Sequence, residues 1–199
     1  MKTRILDAKS SEAIREAGRL LFRGELVAFP TETVYGLGAR ADDADAVDRL
    51  YSVKERPRDK KCAILIADAA DAGRYAAGLS VRERRLAEKF WPGPLTLVTQ
   101  SGKGDSVGLR CPDCESTRSM LRAAGSPIYA PSANPAGREP AKTRAEVLEY
   151  FEAEISAVLD GGRVEGGVPS TVVRLEKSEP VILRPGALSE AEIRSAIEE

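Results

Sequence analysis

Short apolar runs alternate with amphipathic segments along the whole chain. This alternation constrains the fold more than any single motif, because it calls for helices laid against a sheet. In residues 11–23, Ile14, Ala17, Leu20 and Leu21 share one helical face, and Gly24 suits the position just past the last turn. LVAF (26–29) then reads as a strand, ADAVDRLYSV (44–53) as a second amphipathic helix and CAILIA (62–67) as a buried strand. SVRE (80–83) has capping-box spacing and starts a helix that runs to Trp91, where WPGP (91–94) breaks it. LTLVTQ (95–100) and SVGLR (106–110) predict two strands joined by the SGKGD turn. A helix over 115–124 and a short strand in SPIYAP (126–131) follow, and Thr143 with Glu146 opens another helix. ISAVLD (155–160), STVVRL (170–175) and PVILR (180–184) are closing strands, and Ser189 with Glu192 starts a last short helix. The polar stretches 134–143 and 161–169 read as surface loops. The expectation is one α/β (α+β) domain over residues 1–199.

A chain of 199 residues buries roughly 70% of its unfolded surface, so a core forms without disulfides or metals. No apolar run approaches the roughly 18 residues of a spanning helix. The first residues, MKTRILDAKSSEAIREAG, lack the apolar segment of a signal peptide. With three cysteines and no such segment, a cytoplasmic protein with no membrane contact is expected. The chain has no histidine. That absence removes the Ser-His-Asp triad, the Cys-His pair, His-ligated zinc and imidazole acid–base chemistry. Any reaction must use Lys, Arg, Ser, Thr, Asn, carboxylates or a metal that arrives with a substrate.

Ligands of open α/β sheets sit beyond strand ends. There the sequence places PTETVYGLG (30–38), Arg110, PSAN (131–134), PS (169–170) and RPG (184–186). KERPRDKK (54–61) puts five positive and two negative charges directly before a buried strand, in a chain of net charge -1. Arginine forks and small hydroxyls together suit carboxylate and phosphate oxygens. Gly36, Gly38 and the glycines of 161–167 would bring backbone amides close to such an anion. Each piece alone is more often a solvated loop, a turn or a helix cap; their joint order points to an anion-binding cavity. SGKGDS is not a P-loop, and YGLGARADD lacks the third glycine of a dinucleotide fingerprint. CPDC (111–114) cannot close a zinc site with only Cys62 besides, and a redox pair stays open.

The ordered set FPTETVYGLG, KERPRDKK, WPGPLTLV, VGLRCPD, PSAN, PSTVV and LRPG resembles the YrdC-like family of threonylcarbamoyl-AMP synthases, in its short single-domain form. The resemblance runs from about residue 10 to residue 190. It implies a twisted mixed parallel/antiparallel sheet, flanked by helices, around a positively charged cavity. It implies that L-threonine, bicarbonate and ATP, with Mg²⁺ carried on the ATP, form threonylcarbamoyl-adenylate, pyrophosphate and water. A separate tRNA threonylcarbamoyl transferase complex would then make N6-threonylcarbamoyladenosine at tRNA position 37. By the same resemblance, Thr31, Arg110 and Ser170 would bind threonine. Lys54, Arg56, Arg58, Ser132, Asn134 and Arg184 would bind the nucleotide, with Lys54 and Arg56 as electrostatic catalysts. Many relatives have Pro where Lys61 stands, and His where Leu65 and Cys114 stand. The alternatives are a relative that binds double-stranded RNA, and one that forms an adenylate from another substrate, as carbamoyl-adenylate is formed in hydrogenase maturation.

Overall fold

A computed structural model describes residues 2–177 and 179–198. The elements run β1 (Arg4–Asp7), α1 (Ser11–Phe22), β2 (Val27–Phe29), β3 (Gly36–Arg40), α2 (Ala44–Val53) and β4 (Ile64–Leu65). After a 3-10 turn at Ala69–Arg74 come α3 (Val81–Phe90), β5 (Leu95–Gln100), β6 (Ser106–Arg110), α4 (Glu115–Ala124) and β7 (Ile128–Tyr129). The chain closes with α5 (Arg144–Phe151), β8 (Ala157–Asp160), β9 (Thr171–Glu176), β10 (Glu179–Arg184) and α6 (Glu190–Glu198).

Among the described residues the strands form one ten-stranded sheet in the order β1-β8-β2-β3-β7-β4-β6-β5-β9-β10. Parallel pairs (β1/β8, β2/β8, β4/β6, β5/β9) are mixed with antiparallel ones, so the expected single mixed α/β domain is what forms. Side-chain alternation puts helices on both faces. Val27, Phe29, Ala157 and Leu159 pack under α1 and α4 with Leu21 and Met120. Ala28 and Val158, their neighbours in the same strands, pack on the other side with Leu50 of α2 and Phe151 of α5. Strands covered on both faces carry apolar residues at every position, which is why LVAF has no polar alternation. Further along the sheet, Leu95, Leu97, Leu109 and Val173 form a third cluster with Leu86 of α3 and Ile193 of α6.

Local chemistry sets the helix ends. Ser80 and Glu83 make the reciprocal capping box expected of SVRE. Thr143 accepts from Glu146 N as expected, but the Glu146 carboxylate turns to Lys142 N (2.6 Å) instead of closing the box. Gly18 lies where α1 meets α4. A Cβ there would stand 2.7 Å from both Ala123 Cβ and Met120 O, so only glycine permits the approach.

Two strands escape the periodicity. RILD forms β1 at the sheet edge, where only Leu6 is buried. GLGAR forms β3, within and beyond the stretch expected to be a loop. Two others shrink. CAILIA contributes Ile64–Leu65, with single bonds from Ala130 N to Ala63 O (3.1 Å) and from Ile66 N to Arg110 O (2.9 Å) on either side. SPIYAP contributes Ile128–Tyr129, bracketed by Pro127 and Pro131, which have no N–H for a ladder.

Candidate active site

Helix α2 starts at Asp43, whose side chain accepts from Ala46 N (3.1 Å). It ends in a reversal that needs one left-handed residue. Glu55 N bonds Ser52 O (3.0 Å), Arg56 N bonds Tyr51 O (2.9 Å), and Glu55 takes that conformation at φ 50°. A non-glycine residue there costs on the order of 1 kcal/mol. The reversal sends Lys54 inward, to 3% exposure. Its ammonium donates to the carbonyls of Ser132 and Asn134, and Lys54 O accepts from Ala136 N (2.8 Å). Burial, then the Arg56 charge, lowers the Lys54 pKa from 10.5 to about 8.

Arg56 folds its own loop: Nε donates to Lys60 O (2.9 Å) and Nη2 to Lys61 O (3.1 Å). Lys54, Arg56, Lys60, Ser132 and Asn134 line a cavity of about 150 Å³. Arg58 does not join them. It pairs with Asp48 at 2.5 Å and lies 5.1 Å over the Tyr51 ring, on the outer side of α2. Asn134 Nδ2 donates to Pro135 O (3.0 Å) and Arg138 O (2.7 Å), while its buried Oδ1 has no partner.

A second group forms where β2 ends. The Thr31 hydroxyl accepts from Thr33 N and Val34 N (3.2 Å each) and donates to Val34 O (2.7 Å), so it shapes its own turn. Arg110 ends β6 at 7% exposure. Its Nε donates to Gly93 O of the WPGP turn (3.3 Å), and its Nη2 to Thr33 Oγ1 and Glu32 Oε1 (2.8 Å each). Glu32 and Thr33 were not among the expected site residues. The signal was present: two threonines flank a carboxylate directly after a fully buried strand. Leu65, in register beside Arg110 in β4, packs into the apolar cluster with Val27, Phe29 and Met120.

The third group joins PSTVV to LRPG. Ser170 Oγ lies 2.8 Å from Thr96 Oγ1, and Arg184 Nη2 donates to Ser170 O (2.6 Å) and Ser170 Oγ (3.0 Å). Arg184 keeps solvent contact over part of its side chain. Its pKa is nevertheless lowered, first by burial and then by the charges of Arg110 and Arg56. Arg184 therefore lies within range of the charges of Arg110 and Arg56.

The glycines divide by role. Gly36 and Gly38 lie in β3, where a Cβ would stand 3.1 Å and 2.6 Å from the Phe29 ring. They seat that ring; the expected approach of their amides to an anion is not their evident task. Gly166 and Gly167 lie against the second group. Gly167 N donates to Thr33 O (2.7 Å), and a Cβ on Gly166 would stand 2.2 Å from Glu32 O. The 161–169 loop thus rests on Glu32 and Thr33.

CPDC has no activated thiol at Cys111, which is buried, donates to Ala67 O (3.5 Å) and is pushed up to about 11 by burial. Cys114 stands at the N-cap position of α4 without a side-chain capping bond, and all three cysteines are free. Among the described residues, no three His, Cys, Asp or Glu side chains converge as a metal site, and no helix is long and apolar enough to cross a membrane.

Residues 19–186 match the family described as telomere recombination, which takes in Sua5, YciO and YrdC. The chain belongs to the Sua5/YciO/YrdC family. Two relatives named threonylcarbamoyl-AMP synthase are similar to it. One, from Pyrococcus abyssi, is 41% identical over 94% of this chain and 57% of its own length. The other, from Bacillus subtilis, is 38% identical over 92% of this chain and 56% of its own length. The chain thus spans little more than half of these relatives. A solved structure of the P. abyssi Sua5 protein complexed with L-threonine superposes with a TM-score of 0.93, at 38% identity, over 99% of this chain and 61% of that one. The match to the Sua5/YciO/YrdC family takes in all three residue groups, from Thr31 to Arg184.

Proposed function

We propose that this chain carries threonylcarbamoyl-AMP synthase activity, a nucleotidyl transfer that joins L-threonine, bicarbonate and ATP. The observation that carries the reading is the cavity that Lys54, Arg56, Ser132 and Asn134 line, with the buried Arg110 set at the end of β6 against Glu32 and Thr33. The P. abyssi structure with L-threonine supports the choice of amino acid.

In this reading Arg110 takes the threonine carboxylate, Ser170 lies beside it, and Thr31 holds the turn that fixes Glu32 and Thr33. Arg56, Arg184 and Lys54 meet the triphosphate, and Mg²⁺ arrives as part of the ATP complex. The unpartnered Asn134 Oδ1 offers an acceptor to a nucleotide hydroxyl or amine, and the Ser132 backbone anchors Lys54. Arg58 would have to leave Asp48 to join them.

The amine adds to bicarbonate and water leaves. A carbamate oxygen then attacks the α-phosphorus, and pyrophosphate departs. Both steps concentrate negative charge, so placement and fixed positive charge supply the catalysis without histidine. In this reading the product passes to a transferase that modifies tRNA, and the setting is the cytoplasm.

The test is pyrophosphate release by purified protein with MgATP and bicarbonate, with and without L-threonine, and with L-serine as control. Release that needs both threonine and bicarbonate supports the reading. Release that needs another amine moves the substrate and keeps the adenylate chemistry, and no release from folded protein sinks it.

A further inference from the structure

Glu32 has one carboxylate oxygen in use and one idle. Oε1 accepts from Arg110 Nη2 at 2.8 Å, whereas Oε2 is buried and has no hydrogen-bond partner. A buried polar atom without a partner is costly, and a carboxylate oxygen more so. The surroundings do not let Glu32 relax easily. Its main chain sits between the Thr31 turn, tied by Thr117 Oγ1 to Pro30 O (2.5 Å), and the 161–169 loop, tied by Gly167 N to Thr33 O. The partner of Glu32 is Arg110, whose Nε and Nη2 make the bonds described above; among the described residues none stands on Nη1.

An idle buried acceptor beside a buried guanidinium matches a ligand with a cationic donor next to a carboxylate. An α-amino acid is such a ligand. We propose that Glu32 and Arg110 form a clamp for the zwitterion: Arg110 takes the α-carboxylate and Glu32 Oε2 takes the α-ammonium. The inference rests on the synthase reading and adds a specificity-determining residue to it. Glu32 makes the site select an amino acid over the acid that lacks the amine, and holds the nitrogen as an ammonium that passes one proton to the Glu32 carboxylate before it attacks bicarbonate as the free amine. Its contact with Arg110 through Oε1 keeps the two halves of the clamp in register.

The experiment is calorimetric titration of L-threonine and of 3-hydroxybutanoate, which lacks the amine, into wild-type protein and Glu32→Gln. A charge-assisted hydrogen bond predicts that the wild type prefers threonine by roughly 10-fold to 100-fold. In Glu32→Gln that preference falls to within a few-fold, because threonine weakens and the hydroxy acid does not. ATP affinity and the melting temperature of the variant serve as folding controls. Equal wild-type affinity for the two ligands overturns the proposal without any variant. Equal weakening of both ligands by Glu32→Gln also overturns it, since Glu32 would then only hold Arg110. Wild-type protein that binds ATP but not threonine overturns the synthase reading and this proposal together, whereas threonine binding that Glu32→Gln leaves unchanged overturns the clamp alone.

Discussion

The buried ammonium of Lys54 is held by the backbone carbonyl of Ser132, 78 residues away along the chain. With the second bond, to Asn134 O, it ties the end of α2 to the PSAN segment, and Ala136 N returns a bond to Lys54 O. Lys54 is thus a strut as well as a charge. Arg56 bonds within its own loop and does not reach PSAN. Lys54→Met is expected to lower threonine-dependent pyrophosphate release by roughly 10²–10³ and to speed amide exchange across 132–136. Arg56→Met is expected to lower release without that change in exchange. Exchange mass spectrometry separates the two, and unchanged exchange in Lys54→Met would remove the strut role.

The depressed Lys54 pKa gives activity and stability opposite responses to pH. In the native state Lys54 loses its proton near pH 8, while in the unfolded chain it keeps it up to about 10.5. Below both values the group is protonated in both states and its burial penalty is fully present. Between them the unfolded state binds the extra proton, so the contribution of Lys54 to stability rises with pH. Its charge, which the triphosphate needs, disappears over the same window. ATP affinity of the wild type should therefore fall as pH passes about 8. Cys111 and Tyr51, with raised pKa values, pull stability the other way at higher pH. The readable quantity is accordingly the wild-type melting temperature minus that of Lys54→Met, which should increase from pH 7.5 to 9. A flat difference would place the Lys54 titration elsewhere.

Much of the site was legible because its residues fall at strand ends. Arg110 closes SVGLR, Ser170 precedes TVVRL and Arg184 closes PVILR, and all three lie where the pattern put them. What escaped depends on contacts that no local pattern encodes. β3 was hidden because Gly36 and Gly38, which make room for Phe29, remove the side chains that would mark a strand. Glu32 reads as one acidic residue in a turn until Arg110, 78 residues on, is brought against it. Arg58 lies in the basic stretch by sequence, yet the reversal at Glu55 leaves it within reach of Asp48 on the previous helix.

Ser170 is committed before any substrate arrives. Its hydroxyl meets Thr96 Oγ1 at 2.8 Å and receives Arg184 Nη2 at 3.0 Å, with Ser170 itself at 3% exposure. Ser170→Ala removes both bonds and leaves a buried Thr96 hydroxyl short of a partner. The expected loss is about 1–2 kcal/mol in urea unfolding. Arg184 keeps its bond to Ser170 O, so the guanidinium stays near its place. Steady-state kinetics should show the KM for threonine rising more than the KM for ATP. A larger effect on ATP would assign Ser170 to the nucleotide side.

Gly186 is fixed by contact with the backbone that carries Ser170. A Cβ at this position would lie 2.4 Å from Pro169 O, Ser170 C and Thr171 N, all main-chain atoms that cannot swing aside as a side chain would. Ala187 N bonds Pro169 O at 3.0 Å, so the two segments cannot part without losing that bond. Gly186→Ala must push LRPG off the start of β9, and overpacking of this kind costs about 1–3 kcal/mol. Gly102, in the SGKGD turn, has nothing within 4 Å of its Cβ position. Gly102→Ala is the control, expected to stay within about 0.5 kcal/mol of wild type. Urea midpoints measure both. Because Arg184 and Ser170 flank the contact, Gly186→Ala should also weaken threonine-dependent turnover at temperatures where the variant is still folded. A Gly186→Ala protein as stable and active as Gly102→Ala would mean that the two segments separate freely and that RPG is only a turn.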